Sequence, residues 1–217
     1  SYVEFTELSG QGSILLPYAT SVVQHAGEQD GKPITAPILL LGGTPNPDQF
    51  PADSVVTGKL LVWVVKWSEV PQFANAIVLK AMAEGAAGII VVSDRDTTVI
   101  AAVDGQAGRV QVSRDDAAAR KGGIPLVVEV PQAAIVARFP QAQDVFDQLN
   151  AAGEMSVLPM PAWEATVMAA DTVIGTATAP NVVGMLEGTD PTLKHEYVVF
   201  SAHMDHIGIS AGKPDSI

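Results

Sequence analysis

Three short stretches in the middle of the chain are apolar at almost every position. Residues 60–65, 88–92 and 125–130 each have the length of one strand. Because strand side chains alternate between the two faces of a sheet, such runs predict strands that are covered on both faces. The segment 73–84 is rich in Ala, Leu, Met and Lys, and Gly85 follows it, which predicts a helix with a C-terminal glycine. Strand, helix and strand in this order predict parallel strands joined by a right-handed crossover.

The regions on either side of this unit carry weaker patterns. Before residue 58, proline and glycine separate short predicted strands such as 38–41. A short polar helix is predicted near 114–121, and two further helices near 132–138 and 141–151. The last of these has Val145, Phe146 and Leu149 on one face.

From about Trp163 onwards the residue pattern of the sequence changes. Strands are predicted at 165–174, 181–186 and 196–201, with a strong turn at 187–191. The segment 155–161 contains two prolines. We therefore expect a domain boundary near residues 155–163, with one domain over 1–160 and a second over 161–217.

The apolar run 198–200 leads into Ser-Ala-His203-Met-Asp205-His206, close to the end of the sequence. In an extended chain His203 and Asp205 point to the same side, whereas Met204 and His206 point to the other. A neutral imidazole is a good zinc ligand, and a nearby carboxylate can accept its second N–H or position a proton shuttle. The alternative interpretation is a strand-end histidine that is hydrogen-bonded to its neighbour. We expect Met204 to fill the core and the His206 ring to be partly exposed.

Composition narrows the classes of partner. The chain has 217 residues, of which 47% are hydrophobic and 17% charged, and its formal net charge is −12. This balance predicts a folded protein and disfavours nucleic acid and anionic membrane surfaces as partners. The absence of cysteine excludes disulfides and thiolate zinc sites. No apolar segment reaches the roughly 18 residues that a membrane span needs.

Two blocks of the sequence together resemble one known family. The segment Asn-Val-Val-Gly-Met-Leu-Glu-Gly-Thr-Asp-Pro at 181–191, followed by 196–208 with its His-x-Asp-His motif, resembles the opening of the catalytic domain in the di-zinc aminopeptidases of clan MH. The block from Gly58 to Pro125 resembles the protease-associated domain that such enzymes carry as an insertion. The resemblance implies an α/β chain. Residues 1–160 would be a protease-associated domain with an N-terminal lead-in, built as a mixed or barrel-like sheet with flanking helices. Residues 161–217 would be the first strands of a phosphorylase/hydrolase-like zinc-peptidase domain.

The resemblance also implies roles for individual residues. His203 matches the first zinc ligand, and Asp205 matches the carboxylate that orients it and assists catalysis. His206 and Gly208 match the tail of the motif without a transferred role. In the family, two zinc ions are bound by further ligands that follow this strand, and none of these has a counterpart before Ile217, since Glu164, Glu187 and Asp190 belong to other segments. We therefore expect an N-terminal part of a peptidase that is inactive without the remainder of its catalytic domain.

The same resemblance implies peptide or protein substrates and an extracytoplasmic location, periplasmic or secreted, with any signal peptide outside this numbering. Two alternatives stay open. One is a non-catalytic module that recruits protein partners and keeps a vestigial peptidase strand. The other is an amidotransferase-like or cyclase relative on the same zinc scaffold.

Several other features suggest a site but have a simpler interpretation. We expect solvated side chains for His25 and His195, and packing roles for Trp63, Trp67 and Trp163. We expect turn caps rather than calcium ligands at Asp94, Asp96, Asp115 and Asp116. The turn Gly42-Gly43-Thr44 is not expected to bind phosphate.

Overall fold

The computed structural model describes residues 2–10, 12–17, 23–26, 32–96, 126–169, 175 and 182–202. Its contacts divide the chain into two units, Ser1–Val173 and Ile174–Ile217. Each unit is described by itself below. Among the helices of the described ranges, none has the length and apolar character that crossing a bilayer requires.

The first unit contains eight strands and four α-helices in its described residues. The strands are β1 (Tyr2–Glu7), β2 (Ser13–Pro17), β3 (Val23–Ala26), β4 (Ile34–Gly42), β5 (Leu60–Val65), β6 (Gly88–Ser93), β7 (Val127–Pro131) and β8 (Ser156–Met168). The helices are α1 (Asp53–Val56), α2 (Val70–Ala83), α3 (Gln132–Val136) and α4 (Ala142–Ala151), with short 3₁₀ turns at Pro47–Gln49 and Trp67–Glu69.

All eight strands belong to one mixed sheet, in the order β2-β1-β8-β4-β5-β6-β7-β3. The four central strands β4, β5, β6 and β7 run parallel to one another. The pairs β1–β2, β1–β8, β4–β8 and β3–β7 are antiparallel. The predicted α/β class is therefore confirmed, with β2 and β3 at the two ends of the strand order.

The apolar runs of β5 and β6 fill both sides of the sheet, as their composition predicted. Every residue of the two strands is buried. Trp63 on β5 packs in one cluster with Ile77 of α2, whereas Val62 packs in the other with Phe146 and Leu149 of α4. The sheet is thus a middle layer, with α1 and α2 on one face and α3 and α4 on the other.

The C-terminal end of α2 explains how the chain turns back into the sheet within a few residues. Gly85 has a φ of 74°. Its N–H donates to the carbonyl of Met82, and the N–H of Ala86 donates to the carbonyl of Ala81. This pair of bonds is the Schellman arrangement that a glycine after a helix favours. The chain then re-enters the sheet at Gly88, and the predicted helix and glycine cap are confirmed.

Strand β8 begins earlier than predicted. The expected strand began at Ala165, but the observed strand starts at Ser156 and includes Pro159 and Pro161. β1 pairs only with residues 163–168 of β8, so the proline-containing half has β4 as its one described neighbour. A proline without an N–H is tolerated on such an edge. The predicted boundary near 155–163 falls inside this strand, and the first unit extends to Val173.

The second unit differs from the strands predicted for it. Residues 182–202 form no paired strand; the chain is irregular apart from a turn at 191–195. Leu186 and Phe200 are 98% and 93% exposed. The predicted strands at 181–186 and 196–201 are therefore wrong for the described residues, because a strand needs hydrogen-bonding neighbours as well as an apolar pattern. The predicted helix at 114–121 lies outside the described residues.

Candidate functional site

The predicted metal-binding pair, His203 and Asp205, lies outside the described residues, as do Met204, His206 and Gly208. The segment that leads to the pair is described up to Ala202 and is exposed along 196–202. The assignments of His203 as a zinc ligand and of Asp205 as its carboxylate partner therefore stay predictions. Of the described residues, no group of three or more His, Asp or Glu side chains could hold a metal ion.

A capped turn lies just upstream of the pair. The Asp190 carboxylate accepts hydrogen bonds from the backbone N–H groups of Thr192 and Leu193, at 2.7 Å and 3.1 Å. These two N–H groups favour the ionised carboxylate and lower the pKa of Asp190 below its ordinary value of 3.8. The turn lies a few residues later than the predicted one, and His195 is exposed at its end, in agreement with its interpretation as a solvated histidine.

A buried polar cluster in the first unit was missed by the sequence interpretation. The side chain of Glu129, in the middle of β7, is fully buried, and so is Ser93 at the end of β6. Ser93 Oγ donates to Glu129 Oε1 at 2.5 Å. Arg95 binds the same carboxylate through two nitrogens, with Nε at 2.9 Å from Oε1 and a second contact from its terminal nitrogen to Oε2. The signal in the sequence is a single glutamate within an apolar run, since a charge at such a position requires a buried partner.

Trp67, which follows β5, also contacts this cluster. The guanidinium of Arg95 lies 3.7 Å from the ring centroid of Trp67, two residues after β5 ends. The Trp67 backbone N–H donates to Asp94 Oδ1 at 2.7 Å. Asp94 and Arg95, which follow β6, thus connect the residues after β5 with the middle of β7. Asp94 thus binds the first residue of the 3₁₀ turn Trp67–Glu69, which agrees with the prediction that it caps a turn.

The remaining tryptophans have packing roles. Trp63 is 1% exposed in the core. Trp163 lies against Phe139, with ring centroids 5.6 Å apart and planes inclined by 60°. Both agree with the prediction of packing rather than ligand binding.

Gly42 and Gly43 serve close packing as well. A Cβ on Gly42 would lie 2.6 Å from Leu149, and one on Gly43 would lie 1.9 Å from the carbonyl oxygen of Glu154. These close contacts explain why both positions hold glycine.

An open cleft borders the polar cluster beyond the C-terminal end of β6. It has a volume of about 570 Å³ and runs between the residues that follow β6 and the helices α3 and α4. Its lining is mixed in chemistry: Asp94, Arg95, Asp96, Gln132, Ala133, Val136, Ala137 and Gln143. Gln132 Nε2 is buried without a hydrogen-bond partner in the described structure.

Comparison with known proteins gives only weak similarities. No family model matches the chain, and no curated protein matches it. Among solved structures, the chain is similar to a peptidase M28 precursor from Shewanella amazonensis SB2B, with a TM-score of 0.39 and 10% identity over 79% of this chain and 35% of that one. It is also similar to an aminopeptidase from Aneurinibacillus sp. strain AM-1, with a TM-score of 0.31 and 12% identity over 77% of this chain and 33% of that one. The chain therefore spans about a third of the length of these two structures, and the likeness is too low to carry an argument about activity.

Proposed function

We propose that this chain is the N-terminal part of a zinc-dependent aminopeptidase. In this proposal the unit that ends at Val173 is a protease-associated module, and the residues after it begin the catalytic domain. The chain contributes His203 and Asp205 to a centre whose other ligands come from the remainder of that domain. An extracytoplasmic location and peptide or protein substrates belong to the same proposal.

The observation that carries the proposal is the combined motif in the second unit. Asn-Val-x-Gly at 181–184 and His-x-Asp-His at 203–206 occur in the order of the family, downstream of a strand-helix-strand module. The exposure of the intervening segment supports it. Val198, Val199 and Phe200 are consecutive apolar residues that are each more than 80% exposed. Such a run fits a strand that becomes buried on both faces once neighbouring strands are present.

The proposed roles follow from the chemistry of the two side chains. His203 would bind a zinc ion through a neutral imidazole nitrogen. Asp205 would accept the second ring N–H, which fixes the tautomer and orientation of the ring. When bound, zinc activates a water molecule and polarises the scissile carbonyl. Neither residue alone supplies the general base that peptide hydrolysis needs.

The first unit is proposed to shape the access of substrate rather than to react with it. Its described polar cluster is formed by Ser93, Arg95 and Glu129, with the hydroxyl and carboxylate fully buried. These groups already bind one another, so the cluster lacks an accessible nucleophile.

Activity of the complete gene product tests the proposal. We expect zinc-dependent release of amino acids from a peptide with a free amino terminus, and none from the same peptide after N-acetylation. Asp205→Asn should lower the rate by about 10–100-fold at unchanged circular dichroism, as other carboxylates behind metal-bound histidines do. His195→Ala, which removes an exposed histidine of the same unit, is the matched control and should keep full activity.

The outcome also separates the proposal from its main alternative. A non-catalytic recruiting module would give no hydrolysis with or without zinc and would be indifferent to Asp205→Asn. Full activity of the Asp205→Asn variant would contradict the role assigned to this carboxylate.

A further inference from the structure

We infer that Arg95, Glu129 and Trp67 form a latch that fixes where the chain leaves the sheet after β6, and that the latch determines local geometry rather than overall stability. This inference is independent of the proposed peptidase function. It concerns the residues that follow β5 and β6 and the middle of β7, all of which lie in the first unit.

The geometry shows that Arg95 reaches two other strands at once. Its guanidinium binds the carboxylate of Glu129 on β7 through two nitrogens and covers the ring of Trp67 after β5. Only 11% of the Arg95 side chain is exposed. A two-nitrogen contact combined with stacking leaves a guanidinium little freedom, because both its plane and its rotation in that plane are determined.

Two more contacts orient the backbone beside the arginine. Asp94 accepts from the Trp67 backbone N–H at 2.7 Å, and the N–H of Arg95 approaches Ser93 Oγ at 3.4 Å. Ser93 in turn donates to Glu129. The three residues 93–95 are therefore each bound to a neighbouring strand or its exit, directly after β6 ends.

The burial of Glu129 explains why this arrangement need not stabilise the whole fold. Glu129 lies on the same face of the sheet as Val127 and Val91, which belong to a cluster of buried apolar side chains. Taking a carboxylate and a guanidinium out of water costs much of what their attraction returns, so an apolar pair of similar size often stabilises a fold equally well. An apolar pair cannot supply the directional bonds that orient residues 93–95.

Hydrogen exchange and denaturation together test the latch. The reporter is the backbone amide of Trp67, and the amides of Leu61 and Ile90 in the central strands are the reference. In Arg95→Met we expect Trp67 to exchange about 10–100-fold faster relative to the reference amides, which corresponds to the loss of charge-assisted hydrogen bonds. The same variant should unfold at a lower denaturant concentration, because it removes the two-nitrogen contact of Arg95 from the buried Glu129 carboxylate.

The double variant Arg95→Met with Glu129→Leu separates the two effects. We expect it to recover the denaturation midpoint that Arg95→Met loses, while Trp67 continues to exchange rapidly. Arg138→Met is the matched control, since Arg138 is an exposed arginine on the turn after α3 whose guanidinium donates to the Ala134 carbonyl. It should leave both measurements unchanged.

Three results would overturn the inference. Unchanged protection of Trp67 in Arg95→Met would show that the arginine does not hold the strand exits together. Restored protection in the double variant would show that packing alone does so. A double variant as unstable as Arg95→Met would show that the ion pair serves overall stability.

Discussion

At the scale of single residues, a position can require glycine for two separate reasons: a positive φ, or a neighbouring atom that leaves no room for a Cβ. Gly43 and Gly58 both have positive φ, at 80° and 71°. A Cβ on Gly58 would meet open space, whereas one on Gly43 would overlap the backbone carbonyl of Glu154. The two positions therefore isolate steric overlap from conformational strain.

Gly43→Ala should lower the free energy of unfolding by about 2–5 kcal/mol, the sum of left-handed strain and overpacking. Gly58→Ala should cost only the strain, about 1–2 kcal/mol. Chemical denaturation of both variants measures the difference. Equal losses would contradict the described close approach of Gly43, just after β4, to Glu154 before β8.

Asp190 gives the second prediction at this scale. Its two backbone hydrogen bonds lower its pKa in the folded chain below 3.8. The stabilisation of the turn is therefore fully present above that value and is lost as the pH falls through the lowered pKa. The amide shifts of Thr192 and Leu193, followed by NMR from about pH 6 to about pH 2, should report a midpoint below the ordinary one.

Asp190→Asn is the control for this titration, because it keeps an acceptor oxygen but carries no titrating charge. Its Thr192 and Leu193 shifts should show no such transition. A midpoint at or above 3.8 in the unmodified chain would mean that the carboxylate does not cap the turn.

Glu129 shows what sequence reasoning can and cannot extract at one position. Its place within an apolar strand indicates a buried charge that needs a partner. Its partners Ser93 and Arg95 lie more than 30 residues away in sequence. No local pattern connects these positions, so the partners became visible only when β6 and β7 were found side by side.

At the scale of elements, β5, α2 and β6 were predictable because their local signals agree. Strand-length apolar runs, a helix-forming segment and a glycine cap all indicate the same strand-helix-strand unit. β8 was less predictable, since its two prolines indicate a loop. They are tolerated because β1 covers only the later half of that strand.

The second unit failed as a prediction for a different reason. The apolar pattern of 196–201 indicates that the segment can be buried in a sheet, but it carries no information on which strands will pair with it. No such strand pairs with it among the described residues. The apolar pattern therefore predicted that the segment can be buried in a sheet, and it did not predict the exposed, unpaired segment of the described structure.

Helix α2 offers an element-scale test with an internal control. Ile77 is fully buried against the sheet, whereas Leu79 on the same helix is 64% exposed. Ile77→Ala should lower the free energy of unfolding by about 2–5 kcal/mol through lost contacts and a cavity. Leu79→Ala should change it by no more than about 0.5 kcal/mol. Similar losses from both variants in chemical denaturation would contradict the orientation of α2.

At the scale of the whole molecule, stability and proposed chemistry belong to different units. The buried hydrophobic residues that are described all lie between Val3 and Ala169, within the first unit. The proposed metal-binding residues His203 and Asp205 belong to the second unit. The α/β class could be predicted because it depends on the first unit, whereas the geometry of the predicted site depends on residues outside the described ranges.

This separation predicts how zinc content varies with chain length. The 217-residue chain, which carries only His203 and Asp205 of the proposed centre, should fold and yet bind less than one zinc ion tightly. Two tightly bound zinc ions in this chain would show that ligands within it have been missed.

The most direct test of the account is the zinc content of the complete gene product, measured by elemental analysis after exhaustive dialysis in the wild type, His203→Ala and His195→Ala. We predict two zinc ions per chain in the wild type and in His195→Ala, and loss of most of the metal in His203→Ala at unchanged circular dichroism. A wild type without zinc, or a His203→Ala variant that keeps the wild-type content, would contradict the assignment of this chain to a zinc peptidase.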